Sequence, residues 1–188
     1  MKRSHIAGFG AIALMTAIPF VSEMPVLANL RQAGAAIAQN IQRQPQIALS
    51  LGAEKKIIRN QQGKQQVAWR TLQGNVTVQP GDVLRYIVTG KNNSDRSVNN
   101  LVVTQPIPKQ TTYILNSATV KNNTAQVTYS TDNGKNFVEK PIVRVKLRDG
   151  KIVNRPAPAE LYTHLRWKFG QAISPQAAIN ATYQVRVR

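Results

Sequence analysis

From Pro45 to Arg188 the apolar residues recur at every second position, in short runs closed by Gly, Asn, Asp or Pro, and this alternation constrains the fold more than any other feature. Successive side chains of a strand point to opposite faces, so a period of two buries one face and wets the other, whereas a helix needs a period of 3.6. The runs are IALSLGAEKKII, QVAWRTL, VLRYIVTGKN, NNLVVTQPI, TTYILNSATV, AQVTYST, FVEKPIVRVKL, THLRWKF and INATYQVRVR. Between or beside them stand Pro80-Gly81, Asn133-Gly134 and Asp149-Gly150, dipeptides that supply the fixed or positive φ of tight turns. An all-β chain of seven to nine antiparallel strands, folded as a two-sheet β-sandwich of Greek-key type, is expected over residues 46–188.

Alternation also assigns the faces. Leu84, Tyr86 and Val88 share one side of their run, as do Val143, Val145 and Leu147, then Leu165, Trp167 and Phe169, then Tyr183, Val185 and Val187. These are the expected core, with Trp167 and Phe169 as packing anchors rather than ligand platforms. The interleaved positions are cationic: Arg144, Lys146 and Arg148 in one run, Arg166 and Lys168 in another, Arg186 and Arg188 in the last.

The N-terminus carries the three parts of a secretory signal: Lys2 and Arg3, an apolar run from Ile6 to Val21, and small residues at Val26 and Ala28. That run contains Gly8, Gly10 and Pro19 and is short for a bilayer span, so residues 1–28 are expected to be a cleaved signal peptide and the mature chain to lack a transmembrane helix. Residues 29–45, rich in Ala, Gln and Asn, read as a linker or short helix. A secreted, periplasmic or cell-surface location follows. The net charge is +17, and since Lys2, Arg3 and Glu23 are the only charges in the signal, +16 remains after it. Such a charge implies anionic company: acidic polysaccharide, envelope polymer, phospholipid head groups or nucleic acid. The absence of cysteine excludes disulfides, thiolate metal sites and thiol nucleophiles.

The segment from Val78 to Val120 orders Pro80, Gly81 and Asp82, then Tyr86, Asn92, Val102, Val103, Ile107, Pro108, Tyr113, Ser117 and Ala118. The closing segment adds Arg166, Trp167, Pro175 and a final alternating run. In this order the motifs resemble the extracellular conserved-repeat family known as domain of unknown function eleven, over about residues 76–188. The resemblance implies an immunoglobulin-like sandwich on or outside a bacterial cell and no assigned activity. One departure is Gln105, where the family usually has Asp, so no role resting on a carboxylate there carries over.

Few residues invite chemistry. Tyr129 to Phe137, YSTDNGKNF, resembles the aspartate-box hairpin of sialidase-like propellers, in which the Asp holds backbone amides, the Gly takes a positive φ and the aromatic pins the loop. A calcium site needs six to eight oxygen ligands, and the acids that flank Asp132 in the chain, Asp95 and Glu139, stand at no ligand-loop spacing from it. Beyond the signal the carboxylates are Glu54, Asp82, Asp95, Asp132, Glu139, Asp149 and Glu160, several of them in turns. His164 is the sole histidine after the signal and has no nucleophile elbow to serve. No metal, cofactor or phosphate loop is expected, and the sequons at Asn75, Asn92, Asn122 and Asn180 read as exposed turns.

The expectation is therefore a non-catalytic secreted or surface module. Its cations at Arg144, Lys146, Arg148, Arg166, Lys168, Arg186 and Arg188 would dock on an anionic polysaccharide or envelope polymer if their strands are neighbours, or else only keep the surface soluble. Pairing with another surface protein through a sheet edge is the alternative, and a polysaccharide-acting hydrolase a further one. Nucleic acid fits less well, because its usual exposed aromatics fall here on the inward face.

Overall fold

In the computed structural model, which describes residues 46–188 apart from Gln62, Asn75 and Asn122, eleven strands follow one another. They are β1 (Ile47–Gln61), β2 (Lys64–Thr71), β3 (Val83–Asn92), β4 (Val102–Pro106), β5 (Thr111–Tyr113) and β6 (Thr119–Lys121). Then come β7 (Ala125–Ser130), β8 (Ile142–Lys146), β9 (Ile152–Pro156), β10 (His164–Phe169) and β11 (Ala178–Val187), with a 3₁₀ turn at Ala159–Leu161. The expected signal and linker, residues 1–45, lie outside the described residues. No helix among the described residues is long and apolar enough to cross a membrane.

The larger sheet runs β2-β1-β3-β11-β5, with β6 also paired to β11; the smaller runs β4-β10-β7; β8 and β9 form a separate hairpin. All pairings are antiparallel. The period of two sets what lies between the sheets. β3 buries Leu84, Tyr86 and Val88, β11 buries Ile179, Ala181, Tyr183, Val185 and Val187, and β10 buries Leu165, Trp167 and Phe169. Tyr86 stacks on its cross-strand partner Tyr183 at 5.2 Å, and Trp167 of the smaller sheet meets the same Tyr183 at 6.0 Å. The two sheets thus close on one core, as in a β-sandwich, and aromatic pairs of this kind add about 0.5–1.5 kcal/mol beyond the burial of their area.

The fourth expected core set departs from the reading. Val143, Val145 and Leu147 are only half-buried, because β8 has β9 as its only strand partner among the described residues and no sheet covers both faces of a lone hairpin. The strand count also exceeds the expected seven to nine. TTYILNSATV divides into β5 and β6 at Asn116, which takes a φ of 60° while Ser117 N–H closes on the carbonyl of Ile114. Residues 152–156 add a strand where none was expected. The three turn dipeptides behave as their chemistry dictates, with φ of 91°, 82° and 85° at Gly81, Gly134 and Gly150.

The sequons at Asn75 and Asn122 lie outside the described residues and Asn180 sits half-buried within β11, not in a turn, while Asn92 likewise corrects its reading as an exposed turn. It is fully buried, its amide nitrogen donates to the carbonyls of Arg96 and Ile173 at 2.7 and 2.9 Å, and its oxygen accepts from the Ser94 hydroxyl at 2.6 Å. One side chain thereby ties two loops together, beside the backbone bridge between Val98 and Ile173. Gln105, at the position where the resemblance implies Asp, is buried as a neutral amide on the core face of β4, where a carboxylate would bear a desolvation cost.

Removing the Asn92 amide takes one of two hydrogen bonds from the carbonyls of Arg96 and Ile173, removes the acceptor of the Ser94 hydroxyl and leaves a void at a fully buried position. Asn92→Ala should therefore lower unfolding free energy by about 2–4 kcal/mol, seen as a lower urea midpoint at unchanged slope. A midpoint within experimental error of the parent would contradict the role given to this residue.

Candidate docking surfaces

The seven cations expected on one face do not share one. β8, β10 and β11 lie in three different sheets. Trp167 and Tyr183 meet across the core, so the outward side chains of β10 and β11 point to opposite sides of the body. A continuous row of seven charges is therefore not formed, and the residues divide into three groups.

Arg166 and Lys168 stand on the outside of the smaller sheet, and Arg166 is a structural pin. Its Nε donates to Thr104 Oγ1 at 3.1 Å and its guanidinium lies 3.5 Å over the ring of Phe137. Phe137 belongs to the YSTDNGKNF loop, which folds over this face as a hairpin. Asp132 accepts from the Ser130 hydroxyl at 2.7 Å and from the Asn136 backbone and side-chain nitrogens at 2.9 and 2.7 Å, while Gly134 N–H donates to Ser130 Oγ at 2.9 Å. These bonds, led by the Asn136 backbone N–H, hold the Asp132 carboxyl well below the usual carboxylate range. His164, edge-on to Phe137, is held below the ordinary imidazole value by burial and then by Arg166, with Asp132 opposing. The bonds of the Asp132 carboxylate lie within the loop, and Phe137 packs edge-on to His164, whose Nδ1 is 3.1 Å from Thr163 Oγ1.

Arg186 and Arg188 stand outside the larger sheet beside β5. Arg186 is exposed opposite Thr112, and Arg188 Nε donates to Thr112 Oγ1 at 2.9 Å. This pair is a small basic spot rather than a face.

Arg144, Lys146 and Arg148 belong to the β8–β9 hairpin, where the structure gathers cations the sequence reading did not single out. Residues 140–156 hold Lys140, Arg144, Lys146, Arg148, Lys151 and Arg155 against the one acid Asp149. All six cations are exposed, and Asp149 is taken by Lys151 at 3.5 Å. The hairpin is rooted by Ala157 N–H on the carbonyl of Pro141, both residues buried, and closed at its tip by Leu147 N–H on the carbonyl of Lys151. Val143, Val145 and Val153 occupy its half-buried side. The pairing of β8 with β9 puts Arg144 beside Asn154 and Lys146 beside Ile152 on the other side. Lys151 and Arg155 were legible only once Ile152–Pro156 is known to be a strand.

The carboxylates are largely engaged. Asp82 binds Lys55 Nζ at 2.6 Å and the backbone N–H of Gln79, Glu54 binds Arg85, whose guanidinium also lies 4.2 Å over the Trp69 ring, and Glu139 accepts from Gln126. No group of three His, Asp or Glu residues suited to a metal ion occurs among the described residues. No protein-family model, no curated protein and no solved structure matches the chain.

The acid limb of stability should carry the mark of Asp132. Its folded pKa is depressed, so its contribution is complete above the unfolded value of about 4 and is lost as pH falls through the folded value. Thermal midpoints of the parent should drop on acidification below about pH 4 more steeply than those of Asp132→Asn, which starts lower at neutral pH. Parallel profiles for the two proteins would remove the loop's carboxylate from the account.

Proposed function

We propose that the protein is a non-catalytic, secreted or cell-surface interaction module, with an immunoglobulin-like sandwich as its body, that docks on an anionic envelope polymer through the β8–β9 hairpin. The observation that carries this reading is the charge of that hairpin: six exposed cations and a single, already paired acid on a ribbon that has no other strand beside it among the described residues. Like charges set along one short ribbon repel, so the arrangement costs stability unless an anion neutralises it. Arg144 and, at the tip, Arg148 suit planar carboxylate or sulfate groups, which their forked donors can bind in pairs, while Arg155, opposite Val143, projects from the valine side.

The secretory features of residues 1–28 support a location outside the cytoplasm, and the ordered motifs shared with the extracellular conserved-repeat family support a surface role. The non-catalytic reading is supported by the binding of Glu54, Asp82 and Asp132 into ion pairs and turns, since glycoside hydrolysis needs two carboxyl groups facing a substrate. A second reading has one observation in its favour: among the described residues β2 pairs on one side alone, which leaves its eight-residue edge without a strand from them and suited to another chain. A complex made through that edge survives high salt, whereas charge docking does not.

On an acidic-polysaccharide column the variant R144Q/R148Q should elute at clearly lower salt than the parent, while R186Q/R188Q, which loses the same two charges, should move much less. Equal shifts for the two variants would mean that total charge, not the hairpin, governs retention. Light scattering in high salt separates the edge-pairing reading, which alone predicts a persistent complex.

A further inference from the structure

β1 is longer than the sheet it belongs to. Its pairing with β3 ends at Lys55, opposite Leu84, and from Lys56 to Gln61 its only strand partner among the described residues is β2. The two strands therefore leave the body as a ribbon, in which Lys56 faces Trp69, Ile58 faces Val67 and Asn60 faces Gln65 across the pair. Residues two apart on a strand and directly opposed across it share a side, so Ile58, Val67 and Trp69 form one patch with Lys56. Ile58 and Val67 are 63% and 57% exposed, against 0% for Trp167 in the core. Branched aliphatics paired across a ribbon and left in water are unlike the scattered single apolar residues of an ordinary surface.

The charge around the patch has one sign. Between Glu54 and Asp82 the sequence contains no acid, and the ribbon carries Lys56 on the patch side and Arg59, Lys64 and Arg70 on the other, all exposed. The acids at the two ends are already bound, Glu54 to Arg85 and Asp82 to Lys55. Arg85 also lies 4.2 Å over the Trp69 ring, which places a guanidinium at the rim of the patch.

We infer that the β1–β2 ribbon is a seat for an anionic lipid surface, with Ile58, Val67 and Trp69 entering the boundary between head groups and acyl chains, Lys56 beside them meeting the phosphates, and Arg59, Lys64 and Arg70, on the ribbon's other side, adding to the positive field that draws it to the surface. The ribbon pairs two needs that a single partner meets at once, a negative charge and an apolar medium only a few ångströms away from it. A hydrated polysaccharide supplies the first and not the second. Indole rings favour the interfacial layer, long cationic side chains reach from it to the head groups, and amphipathic elements bind there by apolar area and charge together. This site is separate from the β8–β9 hairpin, so the polymer-docking reading and the lipid seat can fail independently.

Trp69 is its own reporter. The chain has two tryptophans, and Trp167 is fully buried, so a change in emission on adding vesicles reports on Trp69. The protein is titrated at low salt with phosphatidylglycerol/phosphatidylcholine vesicles bearing brominated acyl chains, with phosphatidylcholine vesicles alone, and with a soluble polyuronate. The expected result is a blue shift and quenching with the anionic vesicles, little change with the zwitterionic ones, and no quenching with the polyuronate. I58S/V67S, both at exposed positions, should weaken anionic-vesicle binding by about tenfold or more while its thermal midpoint and its polysaccharide-column retention stay those of the parent. W69F should bind vesicles without the quenching signal. Unchanged Trp69 emission with anionic vesicles, a blue shift of the same size with polyuronate, or full vesicle affinity in I58S/V67S would each overturn the lipid seat. Loss of column retention in the hairpin variant with Trp69 quenching intact touches only the hairpin.

Discussion

The contact of Trp167 with Tyr183, and of Tyr183 with Tyr86, is the constraint on which the rest of the molecule depends. It joins the smaller sheet to the larger through side chains that are almost wholly removed from water. Burial also pushes the hydroxyl of Tyr86 up to about 12 and that of Tyr183 higher still, so both rings stay neutral at any pH the protein can meet outside strongly alkaline solution. Once these rings are inside, alternation fixes the direction of every neighbouring side chain on β3, β10 and β11, because a one-residue slip would turn the whole set outward. Without cysteine, no covalent link stands in for this packing.

A body held in this way can extend strands beyond itself. Both ribbons, the end of β1 with β2 and the β8–β9 hairpin, borrow stability from the core at their base and spend little of their own surface on it. Two-stranded ribbons are marginal alone, so their rooting matters: Pro141 and Ala157 are buried under one, and Lys55 with Asp82 clamps the other where it leaves β3. The ribbons hold exposed aliphatics and a large share of the unpaired cations. The two proposed contacts, one with an anionic polymer and one with anionic lipid, suit a module that sits between a membrane and the material outside it.

Much of this was legible in the sequence, for a physical reason. Periodicity is local, and so the burial of Leu84, Tyr86, Val88, Leu165, Trp167, Phe169, Tyr183, Val185 and Val187 could be read directly. Turn chemistry is local too, which is why Gly81, Gly134 and Gly150 take the positive φ their dipeptides imply and why the Asp132 loop closes as a hairpin. What alternation does not contain is which strand lies beside which. The run around Val143 and Val145 alternates as well as any core strand, yet no sheet among the described residues encloses it, and the cations of β8, β10 and β11 alternate alike but face three ways. Asn92 shows the same limit from the other side, since nothing local tells a sequon in a turn from an amide buried against Arg96 and Ile173. The ribbon of β1 and β2 did leave a trace in the long stretch without acids between Glu54 and Asp82.

Residue-resolved amide hydrogen exchange tests most directly whether one two-sheet core carries projecting ribbons. The slowest amides should be those of β3, β10 and β11, exchanging only by global unfolding, with Lys56–Asn60 and the β8–β9 hairpin opening at much lower free energy. Protection in either ribbon equal to that of β10 would contradict the account, because it would place those strands inside the packed body.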